Sequence, residues 1–89
     1  MRLKDGFVLE EIAGVYFAVA TGERARECHT LVRLNGTAAF LWRKLAEGEC
    51  DEAELTVALL SAYDVDEATA KADGAAFIGI LEKGGFLDE

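Results

Sequence analysis

At Asn35 the apolar residues of this chain stop alternating and begin to recur every three or four positions. A strand repeats its faces every two residues and a helix about every 3.6, so this switch divides the chain into a β-prone part and a helical part. Before the switch, Phe7-Val8-Leu9-Glu10-Glu11-Ile12 and Val15-Tyr16-Phe17-Ala18-Val19-Ala20 flank the dipeptide Ala13-Gly14, which is the pattern of a two-residue hairpin. Thr21 to Glu27 is polar and charged, with Gly22 near its start, and reads as a turn or short loop. A third strand is expected over His29-Thr30-Leu31-Val32-Arg33-Leu34. Thr30, Val32 and Leu34 share one face of it, and His29, Leu31 and Arg33 the other.

After the switch, Asn35 is a good N-cap, Ala38, Leu41, Trp42 and Leu45 follow at helical spacing, and Gly48 stops the helix. Trp42 is assigned to the core. Asp51-Glu52-Ala53-Glu54 is a capping box that opens a second helix, with Leu55, Leu59 and Ala62 on one side. Tyr63-Asp64-Val65 makes a short turn, and Asp66 caps a third helix running to about Lys83. Gly84-Gly85 ends that helix, and Phe86-Leu87 folds back as an apolar tail. The fold class is therefore α+β: a three-stranded antiparallel sheet followed by three helices, in the outline of a winged helix-turn-helix. Its 89 residues give one domain, spanning 1–89.

The charge of the chain narrows its partners. Residues 1–46 carry seven bases and five acids, whereas residues 47–89 carry two bases and twelve acids. Phosphate contacts need clustered Lys and Arg, so the acidic second half fits a peptide or protein partner and not a nucleic acid. A winged-helix DNA-binding regulator is the alternative that the element order allows. Its recognition helix, residues 66–83, would set Lys71 and Lys83 against Asp66, Glu67, Asp73 and Glu82. No apolar run is long enough to span a membrane, and no signal-peptide pattern opens the chain, so a cytoplasmic location is expected.

Little in the sequence points to catalysis. His29 is the one histidine, and its neighbour Cys28 projects to the opposite face of a strand, which disfavours a dyad. Cys28 and Cys50 stand apart without a metal-ligand spacing and are expected to be free thiols, with no metal and no cofactor. The carboxylates cluster at helix starts, where they complement the macrodipole.

Several stretches together carry a family resemblance: Leu3-Lys4-Asp5-Gly6-Phe7 before the hairpin, then Leu34-Asn35-Gly36-Thr37-Ala38-Ala39-Phe40-Leu41-Trp42. Tyr63-Asp64-Val65 follows, then Ala72-Asp73 with Phe77 four residues after the acid, and finally Gly85-Phe86-Leu87. In this order the set resembles the PqqD family of small peptide chaperones, also called RiPP recognition elements. Gly74 departs from the branched apolar residue that relatives carry after the Asp. Either the helix packs loosely there, or Gly74, Ala75 and Ala76 leave room for another chain.

The resemblance implies a non-catalytic binding module. It would capture the leader of a ribosomally made precursor peptide and present it to a modifying enzyme, commonly a radical-SAM protein. The leader would lie as an added strand beside the third strand, against the third helix. An edge strand supports this independently, because its unpaired N–H and C=O groups recruit strands, and residues 29–34 carry no proline and one charge, Arg33. The same open edge allows either a monomer or a homodimer. The peptide-binding residues are accordingly His29, Thr30, Leu31, Val32 and Arg33. On the third helix Ala70, Gly74, Phe77 and Leu81 form the core stripe, and the neighbouring stripe Lys71, Ala75, Ile78 and Glu82 is assigned to the groove, with Ile78 as anchor and Lys71 as partner for an acidic leader residue.

Overall fold

Two consecutive positive backbone angles set the first half of the fold. Ala13 has φ 52° and Gly14 φ 80°, the combination a type I′ turn requires, and its twist matches that of the strands it joins. In the computed structural model of the protein, which describes residues 1–27 and 31–88, this turn joins β2 (Phe7–Ile12) to β3 (Val15–Ala20). The other elements are β1 (Arg2–Leu3), α1 (Gly22–Glu27), β4 (Leu31–Leu34), α2 (Gly36–Glu47), α3 (Glu52–Ala62), α4 (Glu67–Gly84) and β5 (Leu87–Asp88). Strands β2, β3 and β4 form one antiparallel sheet in that order, and β1 pairs with β5 in a second, two-stranded sheet. The architecture is thus the expected three-stranded sheet followed by three helices.

Each long helix starts where a side chain satisfies an orphan N–H. Asn35 Oδ1 accepts from the Ala38 N–H at 2.8 Å, and Asp51 and Glu54 complete their capping box at 2.7 and 3.2 Å. Asp66 Oδ1 accepts from the Thr69 N–H at 2.7 Å. These caps fix where the apolar stripes begin. Leu41, Trp42 and Leu45 of α2, Leu55 and Leu59 of α3, and Ala70, Phe77 and Leu81 of α4 then close over Ala18 and Leu34 of the sheet. Each fully buried Leu or Phe contributes about 1.5–3 kcal/mol.

The apolar tail does more than fold back. Phe86 is completely buried, edge-on to Phe7 (4.7 Å between centroids) and to Trp42 (5.3 Å). The Lys4 N–H donates to the Phe86 carbonyl at 2.8 Å, and Arg2 reaches Asp88 at 3.1 Å, so β1 and β5 are tied together. Gly85 ends α4 in the left-handed conformation (φ 70°). Gly84 is needed for clearance, since a Cβ there would overlap the Phe86 ring.

Three expectations change. Residues 22–27 form the short helix α1 in place of a loop: Glu, Arg and Ala are strong helix formers, but a helix this short has no apolar stripe by which periodicity could reveal it. Ala62 is exposed, because the last turn of α3 runs past the core. Gly74 is buried against α3, 3.7 Å from its would-be Cβ to Thr56 Oγ1, so it leaves no opening for another chain. Cys50 is a free thiol as expected, and it is buried, whereas Cys28, His29 and Thr30 lie outside the described residues.

Two stability outcomes are expected. Gly84→Ala forces the Phe86 ring aside and lowers stability by about 1–3 kcal/mol, measured by urea unfolding, while Gly74→Ala, whose new methyl meets Thr56 at ordinary contact distance, is tolerated. The Asp66 carboxyl lies below the ordinary Asp value because it accepts hydrogen bonds from the Thr69 backbone and hydroxyl. Its stabilisation is therefore complete above the ordinary Asp range and is lost as pH falls through the lowered value. Asp66→Asn keeps a neutral cap, so its melting temperature should fall less steeply than wild type's on acidification.

Candidate functional site

The turn at Ala13-Gly14 decides which backbone groups of β4 are free. In a two-residue hairpin the residues flanking the loop, Ile12 and Val15, form a hydrogen-bonded pair, and bonded and non-bonded pairs then alternate along the ladder. Val15, Phe17 and Val19 therefore bond toward β2, and Tyr16 and Ala18 toward β4. Their partners in β4 are Leu34 and Val32. That leaves the N–H and C=O of Leu31 and Arg33 directed at the open side of β4, which has β3 as its one paired neighbour among the described residues.

Side chains follow the same alternation. Leu34 is buried and Val32 half-buried against the core, whereas Leu31 (64% exposed) and Arg33 lie on the outer face. On that face the register places Leu31 beside Val19 and Arg33 beside Phe17. The opposite edge, β2, carries Glu10 and Glu11, charges that discourage strand addition, while β4 carries Arg33 alone among its described residues.

A hollow of about 640 Å³ lies at the end of β4, lined by Tyr16, Arg33, Leu34, Asn35, Gly36 and Ile80 together with Gly14 and Val15 of the hairpin. Four parts of the chain build it: the turn and start of β3, the end of β4, the N-terminus of α2, and α4 through Ile80. Arg33 is the one charged residue in its lining. The Tyr16 ring is held by the Arg43 guanidinium, 5.1 Å from its centroid. Among the described residues no group of three His, Cys, Asp or Glu is placed to hold a metal ion, and no helix is long and apolar enough to cross a membrane.

The residues expected at the site are only partly brought together. Leu31, Val32 and Arg33 form β4, and Thr30 and His29 lie outside the described residues. Lys71 and Ala75 face elsewhere: they line a separate hollow with Glu52, Ala53, Thr56, Val57 and Leu60 of α3, and Lys71 is paired with Glu67 at 3.1 Å. Ile78 is half-buried and packed against the core. Among the described residues, the α4 residue that lines the hollow at the end of β4 is Ile80. At about 100° per residue, Ile78 and Ile80 flank the Phe77/Leu81 stripe on opposite sides. Spacing defines both flanks equally, and the packing of α4 against α2 and α3 selects between them.

This combination defines a winged helix-turn-helix domain whose β4 edge, unlike the acidic β2 edge, is lightly charged and has a small hollow beside it. The chain belongs to the PqqD family: residues 14–87 match the family described as coenzyme PQQ synthesis protein D. Two solved structures share the fold. One is TbiB1 in complex with the TbiA(beta) leader peptide, 23% identical, with a TM-score of 0.74 over 99% of this chain and 95% of that one. The other is lasso peptide synthetase B1 complexed with the leader peptide, 24% identical, with a TM-score of 0.69 over 96% and 93%. No curated protein matches the chain in sequence.

Asn35 both caps α2 and lines the hollow, so the two roles separate by substitution. Asn35→Ala should cost about 1 kcal/mol in urea unfolding through the lost cap, and Asn35→Asp should keep most of that stability.

Proposed function

We propose that this protein captures the leader segment of a ribosomally synthesised precursor peptide and presents it to a peptide-modifying enzyme, of the radical-SAM class. The leader adds as a fourth strand on β4. The observation that carries this proposal is the open edge of β4 in a PqqD-family chain, with the backbone groups of Leu31 and Arg33 turned outward. Two structures of the same fold are complexes with leader peptides, which supports the same use here.

The energetics suit a reversible carrier. Leu31 and Arg33 offer four backbone bonds, each worth about 0.5–1.5 kcal/mol net, and an apolar leader side chain seated against Ile80 and Leu34 adds about 1.5–3 kcal/mol. Association and ordering costs take back much of that sum, which leaves a weak, readily reversible complex. Cross-strand neighbours set the preference on the outer face: an acidic leader residue beside Arg33, and an apolar one beside Leu31.

The test is a titration with synthetic leaders of whatever short precursor peptides the neighbourhood of this gene encodes. Amide resonances of residues 31–34 and of Ile80 should shift, and uniform silence would refute the proposal. Arg33→Pro removes an outward N–H without touching the bonds to β3, so the protein should stay folded while leader affinity drops at least tenfold relative to Arg33→Ala. Equal affinity of those two variants would exclude strand addition.

A further inference from the structure

Helix α3 is apolar on two sides. Leu55 and Leu59 enter the core, and Ala53, Val57 and Leu60 project outward, with Val57 61% and Leu60 39% exposed. A helix that is apolar all round is normally covered all round. Here the outer ridge stands between two hollows, one of about 730 Å³ toward α2 with Phe40 in its lining, and one of about 710 Å³ toward α4. Val57 and Ala53 line both.

The rim of this face is acidic. Glu47, Asp51 and Glu54 line the first hollow, and Glu52 and Glu67 the second. Each of the two lysines present is already held by a carboxylate of the same helix, Lys44 by Glu47 at 3.7 Å and Lys71 by Glu67 at 3.1 Å.

We infer that the outer ridge of α3 is the docking face for the peptide-modifying enzyme, through an apolar knob ringed by Lys and Arg on that enzyme. This inference rests on the leader-capture proposal for the identity of the partner. Charge complementarity selects the occupant. A second copy of this chain would set the same carboxylates against themselves, and nucleic acid or an anionic membrane would meet the wrong sign. The leader is excluded by geometry, since the hollow beside β4 shares no residue with the two beside α3. Helix α4 therefore carries Ile80 on its leader flank and Lys71 and Ala75 on its enzyme flank, so both partners can be bound together.

The test uses the full chain and a purified radical-SAM peptide-modifying enzyme drawn from the neighbourhood of its gene, with binding followed by calorimetry. The unmodified protein should bind that enzyme with an affinity that falls steeply as ionic strength rises. Val57→Ser combined with Leu60→Ser should weaken enzyme binding more than tenfold. The same variant should leave the melting curve, the sedimentation behaviour and leader affinity within twofold of wild type. Glu52→Gln combined with Glu67→Gln, which removes charge and leaves the apolar ridge intact, should weaken binding several-fold and flatten its salt dependence. The inference is overturned if the unmodified chain does not bind the enzyme, or if both double variants bind it like wild type. It is also overturned if the serine variant loses self-association or leader binding, which would assign the ridge to a second copy or to the leader. Failure of the unmodified chain to bind the leader would refute the capture proposal instead, and the enzyme titration decides the α3 face separately.

Discussion

The ring of Phe86 lies between Phe7 of β2 and Trp42 of α2, edge-on to both, and the rest of the molecule is arranged around it. Its carbonyl accepts the Lys4 N–H and its own N–H donates to the Leu81 carbonyl, so the tail is stitched both to the start of the chain and to the last turn of α4. Aromatic pairs in this geometry add about 0.5–1.5 kcal/mol beyond the area they bury. In a domain with few large apolar side chains to spare, one residue that joins sheet, first long helix and last helix carries a large share of the cooperativity. Gly84 is required by that arrangement, and Gly85 supplies the left-handed turn that aims the tail inward.

The second constraint is a matter of parity. A type I′ turn at Ala13-Gly14 fixes the bonded pairs of the first ladder, and through β3 it fixes those of the second. The outward-directed peptide groups of β4 are consequently determined nearly twenty residues earlier in the chain. A shift of one residue at the turn would exchange the buried and exposed faces and the bonded and free groups together. Function at an open edge is in this sense a property of the hairpin.

Helix α4 borders both of the proposed surfaces. Its core stripe of Ala70, Gly74, Phe77 and Leu81 packs against α2 and α3, which leaves two flanks of different character. One carries Ile80 to the end of β4, and the other borders the acidic, apolar-ridged face of α3. The proposed carrier role calls for two surfaces that do not overlap, and a single helix packed on one stripe is suited to border both.

Much of this was legible in the sequence because it depends on local physics. Hairpin, caps, helix starts and the core stripes follow from period, turn residues and short polar side chains, as Asn35, Asp51 and Asp66 show. The open third strand was legible too, from the order of strands and the lack of proline or repeated charge. The helix at residues 22–27 was not, because it has no apolar stripe, and the pairing of the tail with Arg2 and Leu3 was not, because it joins the two ends of the chain. Nor did spacing select the flank of α4 that meets β4: Ile78 and Ile80 are equivalent on a helical wheel. Periodicity by itself determined which residues share a face. Which neighbour each face meets was decided only by the tertiary structure, because the crossing of one element over another is set by packing between residues far apart in sequence.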